Sequence, residues 1–375
     1  MNSRLQSIKF CKKCVTPNTR PRIGFNEDGI CNACSFVNIK KKTNWNEREN
    51  EFKKILDEIR SSDGSHDCIV PWSGGKDSSY IAYLLKFKYK MNPLLVTFAP
   101  LIFNKIGEHN RIKMIELGFD NLVIKPNQKI SSYLSKRFFV ERGNPKVHWN
   151  AGVSCFPVQI ANKFNIKSIF YAEESESEYG GRLLTKNSLK LMEYDTVIEQ
   201  NIQDHPSNWV SEKVSLNDLQ PYLYPDVEEV KKKKIKSFYW SYFFKWDMYK
   251  NYLAIKDIID FKVVKRTVGT FTNFDSLDDK IDDLYYYMQF VKFGFGRCSR
   301  DCSRFIQNGH MSRRKAIDYV KKYDGEFPKK DLDEVLEFLD LRKSEFLDII
   351  DKHRNEEIWY KNNKKSWHLY DAIYF

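Results

Sequence analysis

The sequence predicts an α/β protein built on a doubly wound parallel sheet, with a small cysteine module ahead of it and a mostly helical region behind it. Three observations carry this prediction. Between residues 67 and 171, short apolar runs that read as buried strands alternate with helical patterns. The first apolar run, Asp67–Trp72, passes through Ser73-Gly74-Gly75-Lys76-Asp77-Ser78-Ser79 straight into a helical pattern. Ahead of it stand two Cys-x-x-Cys pairs, Cys11/Cys14 and Cys31/Cys34, sixteen residues apart. The expected division is 1–45 for the cysteine module, 46–235 for the α/β domain and 236–375 for the helical region.

The chain has 375 residues, 42% of them hydrophobic and 15% aromatic, enough for two or three domains with real cores. Its net charge is +12. That admits nucleic acid, anionic sugar nucleotides or an acidic membrane as partners. Lysine is spread along the whole chain, with one run at Lys231–Lys234, so a basic surface explains the charge without a nucleic-acid partner. No run of about 18 apolar residues occurs, and Met1–Phe10 has no apolar leader core, so a cytoplasmic protein is expected. Eight cysteines in such a chain point to metal or reduced thiols.

The elements follow in order. Each Cys-x-x-Cys turn offers two thiolates, and four complete a tetrahedral, closed and therefore structural Zn2+ site. A small zinc ribbon is expected, with free thiols or redox pairs as the alternative. Residues 46–60 form an amphipathic helix with the stripe Phe52, Ile55, Leu56, Ile59. After the first strand and its helix come a strand at Leu94–Phe98, a helix at Ile106–Leu117, a strand at Asn121–Lys125, helices at Gln128–Val140 and Phe156–Phe164, and a strand at Ile166–Tyr171. Ligands bind such sheets at the carboxyl ends of the strands. This puts the Ser73–Ser79 turn and the acidic stretch Glu173–Glu178 beside one crevice. Mg2+ favours one or two carboxylates plus phosphate oxygens, so Glu173 first, and Glu178 second, are candidates for Mg2+ or substrate contact. The alternative is a solvated acidic loop. Farther on, a polar loop at Thr267–Asp275, helices at Leu277–Phe290, Ser312–Tyr323 and Lys330–His353, and the stretch Phe293–Cys302 are expected. There Arg297, beside Gly294 and Gly296, suits an anion, with a packed aromatic turn as the alternative. Cys298 and Cys302 lack a second pair nearby, so no metal is expected on them.

The turn after the first strand has the chemistry of a phosphate cradle: two glycines for close backbone approach, a helix N-terminus, Lys76 and several hydroxyls. It fits neither the Gly-x-x-x-x-Gly-Lys-Ser/Thr nor the Gly-x-Gly-x-x-Gly pattern. Ser73–Ser78 instead resembles the Ser-Gly-Gly-x-Asp-Ser signature of the PP-loop ATP pyrophosphatases. Cys11–Pro21, Pro71–Ser78, Gly107–Asn110, Glu178–Gly181 and Phe293–Arg297 together resemble the N-acetyl sugar amidotransferases of that family, the PseA and WbpG types, along almost the whole chain. One departure is Ala172, where glycine is expected.

The resemblance implies an adenine nucleotide alpha hydrolase-like fold that binds ATP through Ser73, Gly74, Gly75, Lys76, Asp77, Ser78 and Ser79. Lys76 and Asp77 would serve the chemistry, with Mg2+. It implies conversion of a sugar N-acetyl group to an acetamidino group, through an adenylated carbonyl and ammonia, for a surface polysaccharide or flagellin glycan. The chain lacks a cysteine directly after Met1 and a His-x-Glu. Ammonia is therefore expected from a separate glutaminase; the resemblance implies that it is HisH-like and works with a HisF-like channelling subunit, similar to the two imidazole-glycerol-phosphate synthase subunits. A PP-loop tRNA-thiolating enzyme is the alternative; it needs a catalytic cysteine pair, for which Cys68 and Cys155 are the candidates.

Overall fold

Five short strands form one parallel sheet: β1 (Cys68–Pro71), β2 (Pro93–Phe98), β3 (Asn121–Ile124), β4 (Ser168–Tyr171) and β5 (Lys236–Tyr239), in the order β3-β2-β1-β4-β5. The structure, a computed structural model, describes residues 7–182 and 184–374; Met1–Gln6, part of the stretch read above for a leader, lie outside the described residues. Pro93 fits β2 because it stands at the first position of the strand, where a missing N–H is tolerated.

The strands alternate strictly between two cores, as a period of two requires. Ile69, Leu94, Val96 and Ile169 face one side, where α5 (Gln128–Arg142) and α6 (Val147–Phe164) pack through Leu134, Phe138, Ala151 and Val158. Cys68, Val70, Leu95, Phe170 and Phe238 face the other. There they meet Phe52 and Leu56 of α2 (Trp45–Ile59) and Ile81 of α3 (Lys76–Tyr83). A helix α4 (Lys105–Ile115) connects β2 to β3. Both faces of the sheet are covered, which makes the fold doubly wound.

Three expectations change here. The sheet runs past residue 235: β5 opens the region expected to be mostly helical and pairs Ile169 with Ser237. The helix expected to start at Phe156 starts at Val147 and carries Pro157 inside it. Pro157 leaves the Val153 carbonyl without its usual donor. The Tyr171 hydroxyl lies 3.5 Å from that oxygen and donates to the Ser154 carbonyl at 3.0 Å. The four cysteines do not sit on two ribbon hairpins: helix α1 (Asn32–Lys42) begins directly after Cys31 and places Cys34 in its first turn.

Beyond β4 the chain continues through α7 (Ser175–Tyr179), α8 (Lys186–Lys190) and α9 (Val227–Lys232), then β5, α10 (Trp240–Phe243) and α11 (Met248–Lys256). The C-terminal part contains α12 (Asp282–Phe293), α13 (Arg297–Gln307), α14 (Arg313–Tyr323), α15 (Leu332–Leu339) and α16 (Lys343–Lys352). A hairpin of β6 (Trp359–Lys361) and β7 (Trp367–Leu369) closes it. Ser312 caps α14 as expected, its hydroxyl accepting from the Lys315 N–H at 3.3 Å. The single helix expected over 330–353 is two, broken at Asp340, which adopts φ +49°. The helix expected from Leu277 starts at Asp282, because the preceding residues serve as a docking loop: Asp279 accepts from the N–H groups of Leu101 and Ile102, each at 3.0 Å. Among the described residues no helix is long and apolar enough to cross a membrane.

Candidate active site

Strand order reverses between β1 and β4, and a crevice opens there at the carboxyl ends of the strands, as in other doubly wound sheets. It is a cavity of about 420 Å3. Pro71–Ser78 line one wall, Tyr171 and Ala172 the end of β4, Trp149 and Asn150 the start of α6, and Asp275–Asp278 with Tyr285 and Tyr286 the opposite side. Gly74 has φ +89°, and a Cβ on it would collide with the Arg111 side chain, so the tight turn requires glycine. Gly75 caps α3, and its N–H donates to the Ser73 hydroxyl at 3.2 Å. The first turn of α3 thus presents Lys76, Asp77 and Ser78 to the cavity, in the arrangement that favours an anion.

Lys76 is 2% exposed and lies between two carboxylates, Asp77 Oδ2 at 2.8 Å and Asp275 Oδ1 at 2.9 Å. Burial alone would lower its pKa, but Asp275 and Asp77 outweigh it and hold the ammonium above its ordinary value. Asn251 of α11 donates to the other Asp77 oxygen at 2.9 Å. The other Asp275 oxygen accepts from Arg300 at 2.9 Å, and the Asp275 carbonyl accepts from Arg297 at 2.9 Å. Burial pushes Asp275 up, but Lys76, Arg300 and Arg297 overcome it and hold the carboxyl well below its usual range. This network fixes the Lys76 ammonium beside the turn.

Across the crevice, Lys146 is 4% exposed, stacks 3.8 Å from the centre of the Trp149 ring and pairs with Asp282 and, at 3.4 Å, Asp279. Asp278 faces the same cavity. Burial, and after it the Asp282 charge, push its carboxyl up to about 7. A carboxyl that titrates near neutrality on a crevice wall is equipped to accept a proton. A close approach brings it there: a Cβ on Gly107 of α4 would collide with the Asp278 backbone.

The residues predicted from sequence fall into two groups, on the crevice wall and off it. Ser73, Gly74, Gly75, Lys76, Asp77 and Ser78 all line the cavity. Ser79 does not; it is fully buried and its hydroxyl accepts from the Trp72 indole at 2.9 Å. Glu173 follows the wall residue Ala172 and accepts from the Tyr179 hydroxyl at 2.8 Å. Burial and the neighbouring Asp77 push it up to about 7. Glu178 is 1% exposed and off the wall, enclosed by Lys40 at 2.7 Å and by Arg304. Arg297 is 1% exposed and stands behind the wall, over the Tyr286 ring and against Asp275. Cys68 and Cys155 are fully buried and line no part of the crevice; burial raises both thiols, Cys155 to about 12. The thiolating alternative thus has no thiol at this site among the described residues. Sequence reasoning gave no role to Lys146, Asn251, Asp275 or Asp278. The one available signal was the density of aspartates between residues 275 and 283.

Cys11, Cys14, Cys31 and Cys34 are all buried, with their sulfurs within 4.8 Å of one another, so the group could hold a metal ion. The surroundings fit that use. The N–H groups of Lys13, Cys14 and Cys31 point at the Cys11 sulfur at 3.3 to 3.5 Å, and that of Thr16 at Cys14 at 3.5 Å. Such donors stabilise thiolates, the form that binds zinc.

Fold and crevice define an α/β protein whose five-stranded parallel sheet carries a glycine turn and a helix N-terminus at the edge of a cavity. Comparison with known proteins adds a narrower statement. Residues 268–374 match the family model described as the C-terminal domain of WbpG-like LPS biosynthesis proteins. That segment carries Asp275, Asp278, Arg297 and Arg300. An uncharacterized protein of Methanocaldococcus jannaschii is 37% identical over 87 residues, which is 23% of this chain. The chain spans 31% of the length of that relative.

Proposed function

We propose that the protein is an ATP-dependent, AMP-forming amidotransferase that converts the N-acetyl group of a sugar to an acetamidino group during lipopolysaccharide or related glycan synthesis. The observation that carries this reading is the Ser73–Ser78 turn on the crevice wall, with Lys76 fixed between Asp77 and Asp275. The WbpG-like match over residues 268–374 supports the biosynthetic setting.

An acetamide carbonyl is a poor electrophile because its nitrogen donates electrons into it. Transfer of AMP from ATP to the carbonyl oxygen releases pyrophosphate and creates a leaving group. Ammonia then adds to the carbon, and loss of AMP gives the amidine. The turn's N–H groups and Lys76 would hold the departing pyrophosphate and stabilise the charge that grows on it. Mg2+ accompanying the nucleotide would supply further charge neutralisation, with Asp77 and Glu173 as nearby carboxylates. Asp278, on the crevice wall, would take the proton that the adding nitrogen must lose. A structural zinc ion would occupy the four cysteines. Ammonia would come from a separate glutaminase through a channelling subunit.

The test is mass spectrometry of nucleotide-activated N-acetyl sugars incubated with the protein, MgATP and ammonium. The expected product is lighter by about 1 Da, from exchange of O for NH, with AMP formed in equal amount. Both should be lost in Lys76→Ala. AMP release that requires tRNA and a sulfur donor, with every sugar unchanged, would refute the reading.

A further inference from the structure

A second cavity, of about 290 Å3, shares Tyr285 with the crevice as a lining residue. Its walls come from the cysteine module (Arg20, Arg22), the turn between α5 and α6, the start of α7 (Glu176) and α12 (Gln289, Lys292). Its charge is not balanced. Among the described residues Glu176 is the only carboxylate on the wall, and it is already engaged: Arg22 pairs with it, and the Arg182 N–H donates to it at 2.9 Å. Arg20 donates from Nε to the Gly180 carbonyl at 2.7 Å, and Lys292 donates to the Arg142 carbonyl at 2.7 Å. Among the described residues neither has a carboxylate within ion-pair distance. Burial, and then the Arg300 guanidinium, push Arg20 down to about 10, and burial lowers Lys292 as well. Enclosed cations are ordinarily paired, because a carbonyl dipole does not replace the lost hydration of a full charge. Two unpaired cations facing one cavity leave room for a counter-charge from outside the chain.

We infer that this cavity binds an oxyanion carried by the sugar substrate, recognised by Arg20 and Lys292, with the rest of the substrate reaching past Tyr285 toward the crevice. The anion is the diphosphate of a nucleotide-linked sugar or the carboxylate of a sugar acid; both present the oxygens that guanidinium and ammonium groups recognise. The sugar in this statement rests on the proposed amidination; the anion site does not.

Gln289→Glu provides the test, since an isosteric carboxylate placed on the wall supplies the missing counter-charge from within. Calorimetric titration with inorganic pyrophosphate should give two sites in the wild type, one in Gln289→Glu, and the complementary one in Lys76→Gln. Gln289→Glu should melt no lower than the wild type. Lys292→Gln, a second variant that adds no charge, should weaken the same site at least tenfold. Two undiminished sites in both Gln289→Glu and Lys292→Gln would overturn the proposal. So would a single wild-type site that disappears in Lys76→Gln. If Lys76→Gln changes nothing while Gln289→Glu removes a site, the amidotransferase reading falls and the anion site stands. Parallel titrations with UDP-N-acetylglucosamine and with N-acetylneuraminate identify the source: the ligand whose binding Gln289→Glu abolishes carries the recognised anion.

Discussion

Lys76 and Asp275 meet across 199 positions of sequence, and the pair decides how the cradle is charged. Asp275 serves Lys76 with one oxygen and Arg300 with the other. Replacing it with asparagine leaves both cations under-compensated in an enclosed site. Asp275→Asn should cost about 3 kcal/mol of stability, as loss of one partner of a buried pair does. On the proposed function, it should also reduce AMP formation by roughly 100-fold, the scale of removing one preorganised charge. Denaturant melts and a steady-state assay check both. Asp278 behaves in the opposite way. Its folded-state pKa of about 7 lies above the unfolded value, so the native state binds more protons than the unfolded state between these two values. Stability attributable to this group is therefore present at acid pH and is lost as pH rises from about 4 to about 7. Asp278→Asn should accordingly raise stability at pH 8, on the order of 2 kcal/mol, and change it little at pH 4. On the proposed function, the same variant should lose amidination at every pH. Melts at the two pH values test the sign; a variant less stable at pH 8 than the wild type would refute it.

At the scale of elements, local pattern decides what sequence could reveal. β1, β2 and β4 stand out because each is a compact apolar run between breakers, and the cradle stands out because six of its residues are contiguous. β5 does not, because its aromatic residues run without interruption into α10, and periodicity cannot separate a strand from a helix there. The first half of α6 is hidden by Gly152 and Pro157, which read as breakers; the fold tolerates them because Phe98 packs against Gly152 and Tyr171 serves the carbonyls near Pro157. The crevice wall formed by Asp275 and Asp278 was illegible for another reason: it is a loop whose position is set by distant backbone donors, with no repeating pattern. Glu178 illustrates how a correct chemical type can have a different use. It joins three elements, α7 through its own backbone, α1 through Lys40 and α13 through Arg304. Glu178→Gln should lower stability by about 3 kcal/mol. It should also raise amide exchange in α1 well before the sheet is affected. Unchanged exchange in α1 would show that the clamp does not hold that helix.

For the whole molecule, the cysteine module is a brace between distant parts of the chain. Thr16 meets Ser303 of α13 at 3.0 Å between hydroxyls, Arg313 of α14 donates to the Cys14 carbonyl at 3.0 Å, and Arg20 donates to the Gly180 carbonyl at 2.7 Å. The fold of so short a module depends on what the four sulfurs hold, since metal-binding energy in small cysteine sites is folding energy. α13 in turn carries Arg297 and Arg300, which position Asp275 against Lys76. A continuous chain of contacts therefore runs from the cysteines to the cradle. Elemental analysis should find one zinc ion per chain. Stripping it with a chelator, or substituting Cys14→Ser, should increase amide exchange in α13 as well as in the module. On the proposed function, ATP affinity should fall roughly tenfold, which corresponds to about 1.4 kcal/mol. The direct contacts of the nucleotide would remain, so the loss would be partial and would be reversed by returning zinc to the stripped protein. If exchange rises only within residues 10–42 and ATP affinity is unchanged, the module is a separate unit and the brace between cysteines and cradle does not exist.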